Sequence, residues 1–208
     1  MIMDIDVRTN VKEMTKKLSK IQKKQVPFAT SLALNMTGDD VAQSVTGAMK
    51  QYLDRPTPFT LNAFMTKGGR FKGIKAKKNK LVATIIPGAA QAEYLKYQII
   101  GGVRNPKAKK IAIPTSNARL NKYGNIPNRK SGLIKKPSKQ FIATIKGVTG
   151  VWERYGRGGK QIRLIHGFED NVTYQPRFPM FQIAAKTVNR RFNKNFAKAL
   201  SIAMQTAK

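Results

Sequence analysis

Apolar residues recur along this chain with two spacings, and the spacings divide it into helices and strands. Val11, Met14, Leu18 and Ile21 stand three or four apart, separated by Lys12, Lys16, Lys17 and Lys20. That spacing predicts an amphipathic helix of about four turns from Thr9. Pro27 reads as a break and as the first turn of a second helix. This helix extends to about Leu53, with Val41, Val45, Ala48 and Tyr52 in one stripe and Gly38 weakening its middle. DRPTPF (54–59) ends it, because a proline disfavours helix at the residue before it. FTLNAFMTK (59–67) and LVATIIP (81–87) read as strands. Between them lies KGGRFKGIKAKKNK (67–80), read as a long hairpin loop with Gly68, Gly69 and Gly73 as its flexible points.

AAQAEYLKYQIIGG (89–102) predicts a short helix closed by glycines. Residues 103–139 are rich in Lys, Asn, Pro and Gly and predict a long irregular region, with IAIPT (111–115) as a strand inside it. FIATI, GVWERY and QIRLIHGF read as a strand series, with GRGGK (156–160) as the last turn. After Pro179, the residues Phe181, Ala185, Val188, Phe192, Phe196, Ala199 and Ala203 repeat in steps of three and four and predict an amphipathic helix. Phe181, Val188, Phe192 and Phe196 are its candidate core or interface contacts. The expected class is α+β: a small, mostly antiparallel sheet flanked by long N-terminal helices and a C-terminal helix, with long basic loops. One domain is expected over 1–208. It comprises a helical part (1–53), strands with a basic loop and a short helix (54–102), a basic irregular loop (103–139), and strands with the last helix (140–208).

Charge changes this picture. The chain has 208 residues, of which 40 are Lys or Arg and 10 are Asp or Glu, a formal net charge of +30. The acids are unevenly placed: the span from Tyr94 to Trp152 holds thirteen basic residues and one acid-free run until Glu153. Most of these charges find no partner nearby in the chain, and self-repulsion on this scale favours binding to something acidic. Nucleic acid is the first candidate partner, an acidic protein assembly the second, and an anionic membrane surface a distant third. Lys67, Arg70, Lys72, Lys75, Lys77, Lys78 and Lys80 form one candidate contact set, and Arg104, Lys107, Lys109 and Lys110 another. No zinc-finger spacing, basic zipper or recognition-module signature accompanies them, so the expected contact is with phosphates rather than bases.

Candidate chemistry is sparse. There is no cysteine, which excludes disulfides and thiolate metal sites. His166 is the single histidine, so a multi-histidine metal site is impossible. It reads as a strand or turn histidine with a structural hydrogen bond. The adjacent pairs Asp39–Asp40 and Glu169–Asp170 are the densest acids, and neighbours on a helix do not share a face. Neither KGGRFKGIKAK nor GRGGK has the spacing of a P-loop. No catalytic residue, cofactor or metal is expected. MIMDIDVRTN lacks the charged and apolar regions of a secretory leader, and no apolar run approaches the ~18 residues of a membrane span. A cytoplasm-like place of synthesis is the expectation.

Several stretches, in order, resemble a known family. VPFATSLALN (26–35), RPTPFTLNAF (55–64), AEYLKYQIIGGVR (92–104), GVWERYG, QIRLIH and FPMFQIAAKTVNRRFNKNFAKAL are similar to sequences of tailed-bacteriophage head–tail joining proteins, the minor tail protein Z or tail-completion group. The resemblance implies a non-enzymatic virion protein of the neck, made in the host cytoplasm and built as an α+β fold. It implies a homo-oligomeric ring of six-fold or related symmetry. The neighbours would be portal, adaptor, tail terminator or tube proteins, with non-specific contact to genomic DNA. The rival expectation, from charge alone, is a stand-alone nucleic-acid-binding protein, such as a ribosome-associated or DNA-packaging factor.

Overall fold

The structure is a computed structural model that describes residues 5–8, 20–106, 110–127 and 132–206. The protein is α+β. It divides into two compact units: the first is formed by the chain up to Ile99 and from Pro176 onward, the second by Ile100–Gln175.

In the first unit, helix α1 (Lys20–Tyr52) lies against helix α4 (Met180–Gln205). A three-stranded antiparallel sheet contains β1 (Ile5–Arg8), β2 (Gly73–Ile74) and β3 (Val82–Ile85), with β3 central. The short helices α2 (Pro58–Leu61) and α3 (Ala89–Ile99) complete it. Leu34, Val41, Val45, Met49, Phe64, Phe71, Ile85, Leu95, Phe178 and Met180 form the main buried cluster. A second, smaller seam brings Ala29 and Ala33 of α1 against Ala199 and Ala203 of α4, with Phe196 and Leu200 beside it. Alanines at i and i+4 let two helix backbones approach closely.

Two expectations are corrected here. Pro27 does not break the helix: α1 runs through it from Lys20. Proline removes one backbone hydrogen bond and costs about 3 kcal/mol in a helix interior. Burial of Val26, Ala29, Thr30 and Ala33 on the same face offsets that. The helix predicted over 9–24 lies outside the described residues except for its last turn, which belongs to α1. FTLNAFMTK is not a strand. Thr57 caps the helical turn α2 by accepting a hydrogen bond from the Thr60 N–H at 3.1 Å, with Pro58 at the first helical position. The apolar pair Ala63–Phe64 then turns inward instead of alternating.

Helix α4 begins after Pro179 as predicted, but its buried face is offset. Met180, Ala184, Thr187, Asn195, Ala199 and Ala203 are buried, while Phe181 is 46% exposed and Ala185 is exposed. The buried stripe passes through two polar residues that the apolar pattern skips. Thr187 donates to the Ile183 carbonyl, and Asn195 donates to Thr37 Oγ1 at 3.1 Å and Asp40 Oδ2 at 2.8 Å. Satisfied in this way, both are buried without a desolvation penalty left open. Val188 and Phe192 are half-buried against the main cluster, and Phe196 stacks on Phe192 at 6.1 Å.

The second unit is built on a four-stranded antiparallel sheet in the order β5 (Ile111–Pro114), β8 (Gln161–Glu169), β7 (Val148–Tyr155), β6 (Gln140–Ile145). A separate two-stranded ladder pairs β4 (Gly102–Arg104) with β9 (Val172–Tyr174). The strand series, the strand at IAIPT and the GRGGK turn all lie where the sequence predicts them. Trp152 is half-buried and donates from Nε1 to the Ala143 carbonyl at 3.1 Å.

Candidate polyanion-contact surface

The run 67–80 is a folded arm rather than a loose loop. Met65 and Phe71 form a bridge across a tight turn, β2 pairs with β3, and Lys77 and Lys80 close a second turn. The arm is fastened to α1 at three positions of one helix face, spaced i, i+3, i+4. Asn35 holds Ala76 at both ends: its Nδ2 donates to the Ala76 carbonyl at 3.0 Å and its Oδ1 accepts from the Ala76 N–H at 2.8 Å. Gly38 leaves room for the buried ring of Phe71. Asp39 accepts from the Phe71 N–H at 2.9 Å and from Arg70 at 2.8 Å. Gly73, at φ 130°, is no flexible point. A side chain there would run into the Thr84 backbone carbonyl, so glycine is what allows β2 to approach β3.

This anchoring sorts the predicted contact residues. Arg70 pairs with Asp39, and Lys75 lies over the Phe71 ring at 3.0 Å with Asp39 at 3.7 Å. Burial lowers the Lys75 pKa from its ordinary value, against the pull of Asp39. Lys72 donates to the Asn62 carbonyl at 2.6 Å. These three cations hold the arm together. Lys78 sits 4.9 Å from the Phe28 ring, and its side chain is exposed. Lys67, Lys77 and Lys80 are exposed, and none has an acidic partner among the described residues. The outward set is therefore Lys67, Lys77, Lys78 and Lys80.

In the second unit, Arg104 is half-buried on β4, and Lys110 pairs with Asp170 at 2.8 Å between exposed side chains. Lys107 and Lys109 lie outside the described residues. The dense acid pairs do not converge on a metal. Asp39 turns to the arm while Asp40 turns to Asn195 and Arg191 of α4. Among the described residues no three of His, Asp and Glu come together as ligands. No described helix is long and apolar enough to cross a membrane.

Sequence reasoning missed a second cluster, on β6–β7–β8. Gln140, Glu153 and Arg163 stand opposite one another across three strands. Glu153 is buried, with 6% of its side chain exposed, and accepts from Arg163 Nε at 2.9 Å and Gln140 Nε2 at 3.2 Å. The Arg163 hydrogen bond holds its pKa below the usual value, against the effect of burial. Two residues along, Val151 pairs with His166, so β8 uses three residues where β7 uses two. This bulge puts Ile165 and His166 on the face that carries Arg163, although neighbours on a regular strand point apart. Thr115 Oγ1 and Asn117 Nδ2 bond the Leu164 carbonyl at 2.7 and 3.1 Å and hold the bulge. Gly150 opposite it has no room for a side chain beside the His166 carbonyl. His166 is buried, and its Nδ1 has no hydrogen-bond partner among the described residues, contrary to the structural bond expected of it. Burial lowers its pKa, and the Lys135 charge lowers it further. No spacing in the sequence signals this cluster, because the bulge that aligns it depends on the register of β7 against β8.

The chain matches no protein-family model, no curated protein and no solved structure.

Proposed function

We propose that this chain is a non-enzymatic structural protein of a tailed bacteriophage, which completes the tail at the neck and joins it to the head as one subunit of a ring. The observation that carries the reading is the arm. Lys67, Lys77, Lys78 and Lys80 are presented outward on a segment fixed to α1, in a chain with a net charge of +30. Fixed cations without acidic partners favour contact with phosphates or with acidic protein faces, and repetition around a ring makes a weak contact avid. The stretches similar to head–tail joining proteins supply the place, where genomic DNA and acidic neighbours both lie within reach. The α+β build, with long helices at both ends, is the one that resemblance implies.

Quantitative mass spectrometry of purified particles tests this, with a capsid protein of known copy number as the standard. A small symmetric number, such as six or twelve, is expected. Absence from particles overturns the reading and leaves a stand-alone nucleic-acid-binding protein as the account of the charge.

A further inference from the structure

The bulged face of β8 opens on a cleft of about 520 Å3, within the second unit. That volume falls in the range of small-molecule sites. Arg119, Lys135, Lys136 and Arg163 line it, with Glu153 as the one carboxylate among the described residues. Arg119, Lys136 and Arg163 against Glu153 leave a surplus of two positive charges beside the His166 imidazole. Glu153 is already occupied by Arg163 and lies 3.8 Å from Lys136, so it anchors these cations and does not compete with an incoming anion. Ile126, Pro127, Leu133 and Ile165 give the lining an apolar part, and Asn117 and Gln140 are its neutral polar residues.

One feature of the backbone shapes the cleft. The bulge, held by Thr115 and Asn117, brings His166 to the cleft face, and bulges of this kind re-aim side chains at sites. The imidazole so placed is 4% exposed and lines the cleft, which makes it a reporter of anything seated there.

We infer that this cleft binds a phosphorylated ligand of nucleotide size, with its phosphate between Arg119 and Lys136 and its planar base against the apolar part of the lining beside His166. A surplus of two charges suits a phosphate dianion better than a single carboxylate. The volume and the apolar lining leave space that inorganic phosphate alone does not fill. Two sources share this chemistry: a free mononucleotide and the phosphorylated end of a nucleic acid strand. The inference stands apart from the neck assignment, since it concerns a discrete site on the second unit and not the arm.

The chain's single histidine makes the test direct, because its imidazole gives one resonance in a 1H–13C spectrum. The full chain is titrated with dAMP, with inorganic phosphate, with a short acidic peptide, and with one short DNA strand with and without a 5′-phosphate. Saturable movement of the His166 signal with dAMP supports the inference and assigns free nucleotide. Movement only with the 5′-phosphorylated strand supports it and assigns a strand end. Arg119→Gln and Lys136→Gln should each weaken that response about tenfold, with the remaining spectrum unchanged. An unmoved His166 signal overturns the inference, as does an equal response to inorganic phosphate or to the peptide, or unweakened binding in both variants. The copy number in particles is measured independently of this titration, so failure here is distinct from failure of the neck reading.

Discussion

A methyl group on Gly38 would lie 2.5 Å from Cε1 of Phe71, so the middle of the longest helix is shaped by a ring from the basic arm. Helix propensity alone predicts that Gly38→Ala gains up to about 1 kcal/mol. The contact predicts the opposite, a net loss of about 1–3 kcal/mol, because Phe71 is 1% exposed and cannot retreat. Urea denaturation decides the sign. The losses of Gly38→Ala and Phe71→Leu should also fail to add, since the smaller side chain relieves the clash.

Asp39→Ala should loosen the arm while α1 itself stays helical. It removes the acceptor of both the Phe71 N–H and Arg70. Leaving the half-buried N–H unbonded costs about 1–3 kcal/mol. Faster hydrogen exchange over 70–77, with helical circular dichroism retained, is the expected result. Unchanged exchange there would show that Asp39 does not hold the arm.

Replacing Lys67, Lys77 and Lys80 together with Gln should leave the melting temperature nearly unchanged, since none has an acidic partner among the described residues. If these lysines meet phosphates, the slope of log affinity for DNA against log salt should fall by about 2–3. An identical slope would remove the arm from DNA contact and leave an acidic protein as its partner.

Phe192→Ala and Phe181→Ala separate core from surface on α4. Phe192 is half-buried between the two apolar clusters, so its loss should cost about 2 kcal/mol, below the ~3–5 kcal/mol of a fully buried ring. Phe181 is 46% exposed, and its loss should be nearly neutral for the isolated chain. Comparing melting temperatures checks both. Loss of ring assembly in Phe181→Ala, with stability intact, would mark this residue as a subunit contact.

Stability should fall in two steps as pH drops. Burial holds the folded His166 pKa below its ordinary 6.5, so the unfolded chain binds the proton first and stability declines below about that pH. Hydrogen bonding by Arg163 holds the folded Glu153 pKa below its ordinary 4.5. Its contribution is present above that value and lost as pH falls through the folded pKa. Urea midpoints measured from pH 7.5 to 3.5 should show both limbs. His166→Asn should flatten the upper one and Glu153→Gln the lower one.

The helix after Pro179, the helix at 89–99, the β6–β7–β8 series and the α+β class could all be read from the chain alone. Each rests on terms that act within a few residues: apolar periodicity, proline and glycine punctuation, and turn chemistry. The chain also sets the charge surplus, because acid-free spans need no fold to be counted. Other features depend on partners distant in sequence. Pro27 stays helical because its neighbours are buried. Phe71 turns inward because α1 offers Gly38 and Asp39. Thr187 and Asn195 replace larger apolar residues on the buried face of α4 because Asp40, Thr37 and a backbone carbonyl are there to bond them. The cleft is the extreme case. One extra residue in β8 opposite Val151 brings His166 beside Arg163, and a ladder register is fixed by burial across strands rather than by any local pattern.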